Sequence, residues 1–526
     1  MEKQSFIPQR VMGEALLISA AMNPDKTLAI YKDSEYSYKY LTECSEKMAQ
    51  YLLHAGIVKG DRVAIFMNNS WQTIVAIYGA TLAGAVFLVI NPQTKDEKLQ
   101  YILNDSGARI LFTDIPVTKM SGTLNEVETL QEVIVTLKED NIHDRIKFRI
   151  NTYDQIFSSK QSLVPYPVII PNDLAALIYT SGSTGFPKGV MMTHQSMVFT
   201  SWSLIQYLRL TKEERIMLVL PLAFDYGLYQ LFMAVTVGGT LIIEHSFVFP
   251  TTVYKQIEKW KPTVFPGVPT IYAMMIESNK KTGIAFSGIQ KITNTAAALT
   301  PEMIPGLKKV FPDALIFKMY GLTECKRVCY LEPELIDEKP ASVGKAIPGT
   351  EVFLLDTDGN EVNRNGPGIL HVRGPHVMAG YWKNEKLTEE MLRPGRIPGE
   401  RILCTHDLFR MDEEGFLYFL GRTDDIIKTR GEKVSPVEIE NVICKIEGVK
   451  EVAVIGYPHE IMGEGIAAYV TSYDNTEPDI KTIQNECAKK LEIFMIPQQV
   501  IFIDEMPKSP NGKIDKKELK QRKLSS

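Results

Sequence analysis

The stretch YTSGSTGFPKGV, residues 179–190, packs three glycines, four hydroxyl residues and one lysine into twelve positions. Glycines let successive backbone N–H groups turn inward and form a nest for an anion. Thr180, Ser181, Ser183 and Thr184 add hydroxyl donors, and Lys188 adds a compact positive charge suited to phosphate. A Walker loop does not fit. Counting on from Gly182 puts Pro187 where its second glycine belongs and Gly189 where its magnesium-binding hydroxyl belongs. An apolar run, AALIY, precedes the loop and another, GVMM, follows it, with a helix start only at THQS. The spacing therefore predicts strand, phosphate loop, strand, rather than a loop that opens directly into a helix.

Outward from this loop the chain alternates short apolar runs with helical patterns. RVAIFMN is followed by SWQTIVAIYGATLAGAV, and IMLVLPL by LYQLFMAVTVGG. ARILFTD and LAALIYTS read as further buried strands. This rhythm predicts an α/β domain. Near residue 420 the pattern changes to an aromatic strand, a charged turn RTDD and an acidic helix. Two more strands, a helix and a basic tail follow. We read residues 1–423 as a large N-terminal domain and residues 424–526 as a small α+β domain, within the usual domain size.

The 526-residue chain has a formal net charge of −5, which argues against general nucleic-acid binding. Its six cysteines form no CxxC pair, as expected of reduced thiols. No apolar run reaches the ~18 residues of a membrane span, and the N-terminus lacks a basic segment followed by an apolar block. The expectation is a cytoplasmic enzyme.

Further motifs follow in order: YGLTE (320–324), GILHVRGPHVMAGYW (368–382), THDL (405–408), GRTDDIIKTRGEKVSPVEIE (421–440) and PNGKID (510–515). With the phosphate loop, this series resembles the adenylate-forming superfamily of acyl-CoA ligases, luciferases and peptide-synthetase adenylation domains. The likeness runs from about residue 25 to residue 516. It implies a large α/β domain with a β-barrel-like subdomain and a mobile C-terminal lid. The implied reaction joins a carboxylate to the α-phosphorus of ATP, releases pyrophosphate, and passes the acyl group to a thiol.

The resemblance also implies roles. Thr180, Ser181, Gly182, Ser183, Thr184, Gly185 and Lys188 would hold the outer phosphates. Tyr320 and Gly321 would flank the adenine, Thr323 would meet the α-phosphate, and Glu324 would hold Mg²⁺. Asp407 would accept the ribose hydroxyls, Arg422 would reach ribose or phosphate, and Lys513 would bridge the two reacting groups. Lys513, Thr323 and Lys188 are the expected catalytic residues. Asp424 would be the hinge and Gly431 would line the thiol channel. His406 stands where the family usually has glycine.

FD at Phe224-Asp225 resembles peptide-synthetase adenylation domains, in which the aspartate pairs with an α-ammonium. A buried carboxylate needs a partner, although a helix N-cap at DYGLYQ would also satisfy it. By position Asp225, Tyr226, Tyr229, Pro266, Thr295, Met319 and Val328 would line the substrate pocket. The expectation is an amino acid, proline favoured for its small ring, loaded onto the phosphopantetheine thiol of a separate carrier protein. The alternative is an acyl-CoA ligase acting on a carboxylic acid. Arg327 could point away, pair with Asp225 or read the carrier. His194 fits a capping or core histidine at least as well as a substrate contact.

Overall fold

A computed structural model describes residues 9–137, 146–160, 162–180, 187–295, 299–362, 365–423, 425–430, 432–459, 462–473, 478–508 and 513–522. Among these residues the strands form four sheets. The phosphate-loop segments are the strands Leu174–Thr180 and Lys188–Thr193, paired antiparallel with Thr180 opposite Lys188. The expected strand–loop–strand device is thus present. The next helix, His194–Tyr207, begins only after Thr193, whose hydroxyl accepts from the Ser196 N–H as an N-cap.

This hairpin joins a sheet whose remaining long strands run parallel. Its members include Val86–Val89, Arg62–Phe66 and Ala108–Thr113. A nine-stranded sheet takes Arg215–Leu218, Val264–Gly267, Lys291–Asn294 and Leu315–Tyr320 in parallel, then Cys329–Leu331 in antiparallel. Between the sheets lie helices that are apolar all round, as double-sided burial requires. In Trp71–Leu82 and Asp225–Val237 nearly every residue is buried. One continuous core joins residues of both sheets, including Ile65, Phe87, Leu218 and Phe317.

A third, antiparallel sheet is built from Glu351–Leu355, Pro367–Arg373, Leu392–Pro394, Arg401–Met411 and Leu417–Arg422. The fourth collects strands from Ile427 onward, among them Val449–His459 and Gly463–Ser472, over a separate core that includes Ile439, Ile466 and Ile483. The chain is therefore an α/β protein with a large N-terminal part and a small C-terminal one. No described helix is long and apolar enough to cross a membrane.

Candidate active site

Parallel α/β sheets bind ligands beyond the carboxyl ends of their strands, and the expected site residues gather there. Pro266 lies on Val264–Gly267, Thr295 follows Lys291–Asn294, and Met319 and Tyr320 end Leu315–Tyr320. Beyond Tyr320 the chain turns back tightly, and the Val328 N–H bonds the Tyr320 carbonyl. Gly321 makes this possible, because a Cβ there would sit 2.3 Å from the Lys326 carbonyl oxygen. The turn carries Thr323, half-buried, and Glu324, buried.

The strand Gly380–Tyr381 pairs with Lys188–Thr193 and brings Tyr381 to the phosphate hairpin. The Lys188 ammonium donates to the Tyr381 hydroxyl at 2.8 Å and lies 3.4 Å from Oε1 of Glu324. The Tyr381 hydroxyl in turn donates to that same oxygen at 2.5 Å. Burial, then the Glu324 charge, keeps the phenol protonated. Tyr381 is an addition to the expected site residues, although it lies within the quoted GILHVRGPHVMAGYW. The buried Thr180 hydroxyl has no hydrogen-bond partner among the described residues, which leaves a donor at the loop's entrance. Ser181, Gly182, Ser183, Thr184 and Gly185 lie outside the described residues, as do Asp424 and Gly431.

Asp407 sits on Arg401–Met411, opposite Arg422 across the antiparallel pair. Their side chains approach to 3.3 Å, and the Tyr320 hydroxyl donates to the other carboxylate oxygen. Three expected nucleotide residues from three strands therefore converge. His406 adopts φ +55°, a left-handed conformation, which accounts for the glycine usual at this point. Its carbonyl accepts the Thr423 N–H and hydroxyl. Burial disfavours the Cys404 thiolate, yet hydrogen bonds with His371 and His406 bring that thiol down to about 5.

Lys513 is exposed on the C-terminal part. It lies in the segment between two anchoring ion pairs, Lys508–Glu451 at 2.8 Å and Lys516–Glu440 at 2.7 Å. It belongs to the small unit that carries the fourth sheet, away in sequence from every residue of the hairpin.

The acyl side differs from expectation at its charged residue. Asp225 is not an N-cap: Phe224 holds that place, and Asp225 is the first residue of the helix. Its partner is already in the chain, since the Lys326 ammonium lies 3.3 Å from Oδ2. An α-ammonium is therefore not needed to satisfy this carboxylate. Lys326, absent from the expected set, is buried over the rings of Tyr226 and Tyr229 at 5.3 and 5.1 Å. Burial lowers its pKa to about 7. A cation beside the apolar strand CYL is the available signal, but the φ of +63° that turns it inward is not readable from sequence. Tyr226 donates to the Thr293 carbonyl at 2.6 Å, and Met319 accepts from Tyr207 through sulfur at 2.9 Å. Arg327 does not point away: it is buried and donates to the Thr295 hydroxyl. His194 proves to be a core residue, accepting the Met12 N–H at 3.1 Å through Nδ1, with burial lowering its pKa to about 4.

Known proteins share this fold. Residues 17–382 match the AMP-binding enzyme family, and residues 438–513 match the AMP-binding enzyme C-terminal domain. A long-chain-fatty-acid–CoA ligase of Bacillus subtilis is 29% identical, across 98% of this chain and 94% of its own. Tyrocidine synthase 2 of Brevibacillus parabrevis is 26% identical, across 95% of this chain but 13% of its own. The crystal structure of ATP-bound MatB from Rhodopseudomonas palustris superposes with a TM-score of 0.86 at 26% identity, covering 98% of this chain and 99% of that one. The chain belongs to the AMP-binding, adenylate-forming enzymes and is an ATP-dependent, AMP-forming acid–thiol ligase.

Proposed function

We propose that this enzyme activates a carboxylic acid without an α-ammonium as acyl-AMP and then passes the acyl group to coenzyme A. The observation behind this reading is the ion pair between Lys326 and Asp225. An amino acid would have to bring its ammonium against a cation already in place, and like charges close together in a buried site are costly. The whole-length likeness to a CoA ligase supports the acceptor.

In the first step a substrate carboxylate oxygen attacks the α-phosphorus, and the bond to the pyrophosphate oxygen breaks. Negative charge gathers on the phosphate oxygens, so the site needs placed cations and donors rather than a strong base. Lys188, the Thr180 hydroxyl and the loop between them receive the outer phosphates. Thr323 meets the α-phosphate. Asp407, oriented by Tyr320 and Arg422, accepts the ribose hydroxyls through its two oxygens. Lys513 enters when the C-terminal part closes over the cleft, with Asp424 as the hinge. Glu324 offers the hard carboxylate oxygens that Mg²⁺ prefers, and the bound ion would neutralise charge on the phosphates. In the second step the thiol sulfur, led past Gly431, attacks the acyl carbon, and AMP leaves.

The test is ATP–pyrophosphate exchange across the common amino acids and a range of amine-free acids, followed by coenzyme A consumption with whichever acids respond. Exchange with amine-free acids and thioester formation on coenzyme A are expected. Exchange driven by amino acids alone, proline included, with transfer only to a carrier protein, would return the site to the amino-acid reading.

A further inference from the structure

The acyl side of the cleft holds more positive charge than negative. Asp225 stands at the rim, its side chain 22% exposed, while that of Lys326 behind it is 2% exposed. Arg327 is 1% exposed. One Nη of Arg327 donates to Thr295, but its buried Nε–H has no hydrogen-bond partner among the described residues. Both side-chain amide atoms of Asn294, one residue before Thr295, are likewise buried and unpartnered. His376 beside Arg327 adds no charge, because burial lowers its pKa to about 4. Glu324, on the same turn, faces Lys188 instead. Two cations are thus answered by one carboxylate, at a place where Tyr226, Tyr229, Met319 and Val328 supply the remaining buried surface.

A buried guanidinium with an unmade hydrogen bond costs stability unless a partner arrives. The partner that matches a planar cation beside an ammonium is an anionic oxygen group. We propose that Lys326 and Arg327, with Asn294, read a second negatively charged oxygen group on the far part of the acid. The enzyme then favours dicarboxylic or similarly dianionic acids over plain alkanoic ones. This rests on the coenzyme A ligase reading above and narrows its substrate class. Asp225 opposes the effect of burial on the ammonium and aims it.

The experiment measures ATP–pyrophosphate exchange by the full chain with α,ω-dicarboxylic acids of increasing length, each beside its monomethyl ester. The free diacids should exceed their esters in kcat/KM by roughly tenfold or more, the scale of one charge-assisted hydrogen bond. Arg327→Met should shrink that ratio towards unity, mainly through KM, with Arg327→Lys retaining part of it. If Arg327→Met does not fold, Asn294→Ala decides, and a ratio left at the wild-type value overturns the proposal. Esters that match or beat the diacids overturn it too, while their thioesters with coenzyme A would leave the ligase reading standing. Exchange with neither series overturns the proposal, and exchange with amino acids alone overturns both readings.

Discussion

Lys188 and Glu324 face each other 3.4 Å apart, and the Tyr381 hydroxyl bonds both of them. Lys188 is proposed to meet phosphate and Glu324 to hold the metal, and the two already form an ion pair. The tyrosine bridges the pair, accepting from the ammonium and donating to the carboxylate.

Tyr381→Phe removes both hydrogen bonds and leaves the ring. A hydrogen bond to a charged group is worth about 1.5–3 kcal/mol, and loss of one such bond in the transition state lowers exchange by roughly 10- to 100-fold. Steady-state exchange against ATP concentration checks this. Wild-type kinetics would remove the tyrosine from the site.

Tyr320→Phe takes one donor from Asp407 and leaves Arg422 in place. We expect a KM for ATP raised by roughly tenfold, the effect of one charge-assisted bond. Asp407→Asn should cost more, because it also removes an acceptor for the ribose. Nucleotide titration of each variant distinguishes them, and equal affinity in both would contradict the ribose assignment.

Lys513→Ala should separate the two half-reactions. Losing a preorganised cation from the charge-developing step costs on the order of 10²–10³ in rate. Thioester formation from chemically prepared acyl-AMP should stay near wild type, since Lys513 is assigned to the first step only. Single-turnover assays of each half resolve the two, and equal losses in both would refute the division of labour.

His194 gives a pH prediction for stability. Its folded pKa, lowered to about 4 by burial, lies below the ordinary value of 6.5. Between those values the unfolded chain binds the extra proton, so stability falls as pH drops from 6.5 towards 4. His194→Gln keeps a group able to accept the Met12 N–H but removes the titration. Urea unfolding at pH 7 and pH 5 should show a smaller difference for the variant than for wild type. An unchanged difference would place the titration elsewhere.

Much of this molecule is readable along the chain, where local rules act. The glycine–hydroxyl hairpin, the failed Walker match and the buried strands at Arg62–Phe66 and Ala108–Thr113 follow from composition and spacing. The change near residue 420 marks a second sheet system for the same reason. Asp225 stands out in the sequence as a carboxylate in an apolar run that needs a partner, but nothing along the chain says that the partner is a lysine rather than the substrate.

Periodicity and local spacing are enough for the α/β layering and the glycine–hydroxyl hairpin, while the adenylate-forming chemistry enters through the family that the ordered motifs resemble. Packing is needed to learn that Lys326 answers Asp225 and that Tyr381 joins Lys188 to Glu324. Those contacts cross large separations, 193 residues for Lys188 and Tyr381. They also depend on a left-handed turn at Lys326 and on a two-residue strand at Gly380–Tyr381. Neither feature leaves a periodic trace, so only the packed sheets reveal which charges meet.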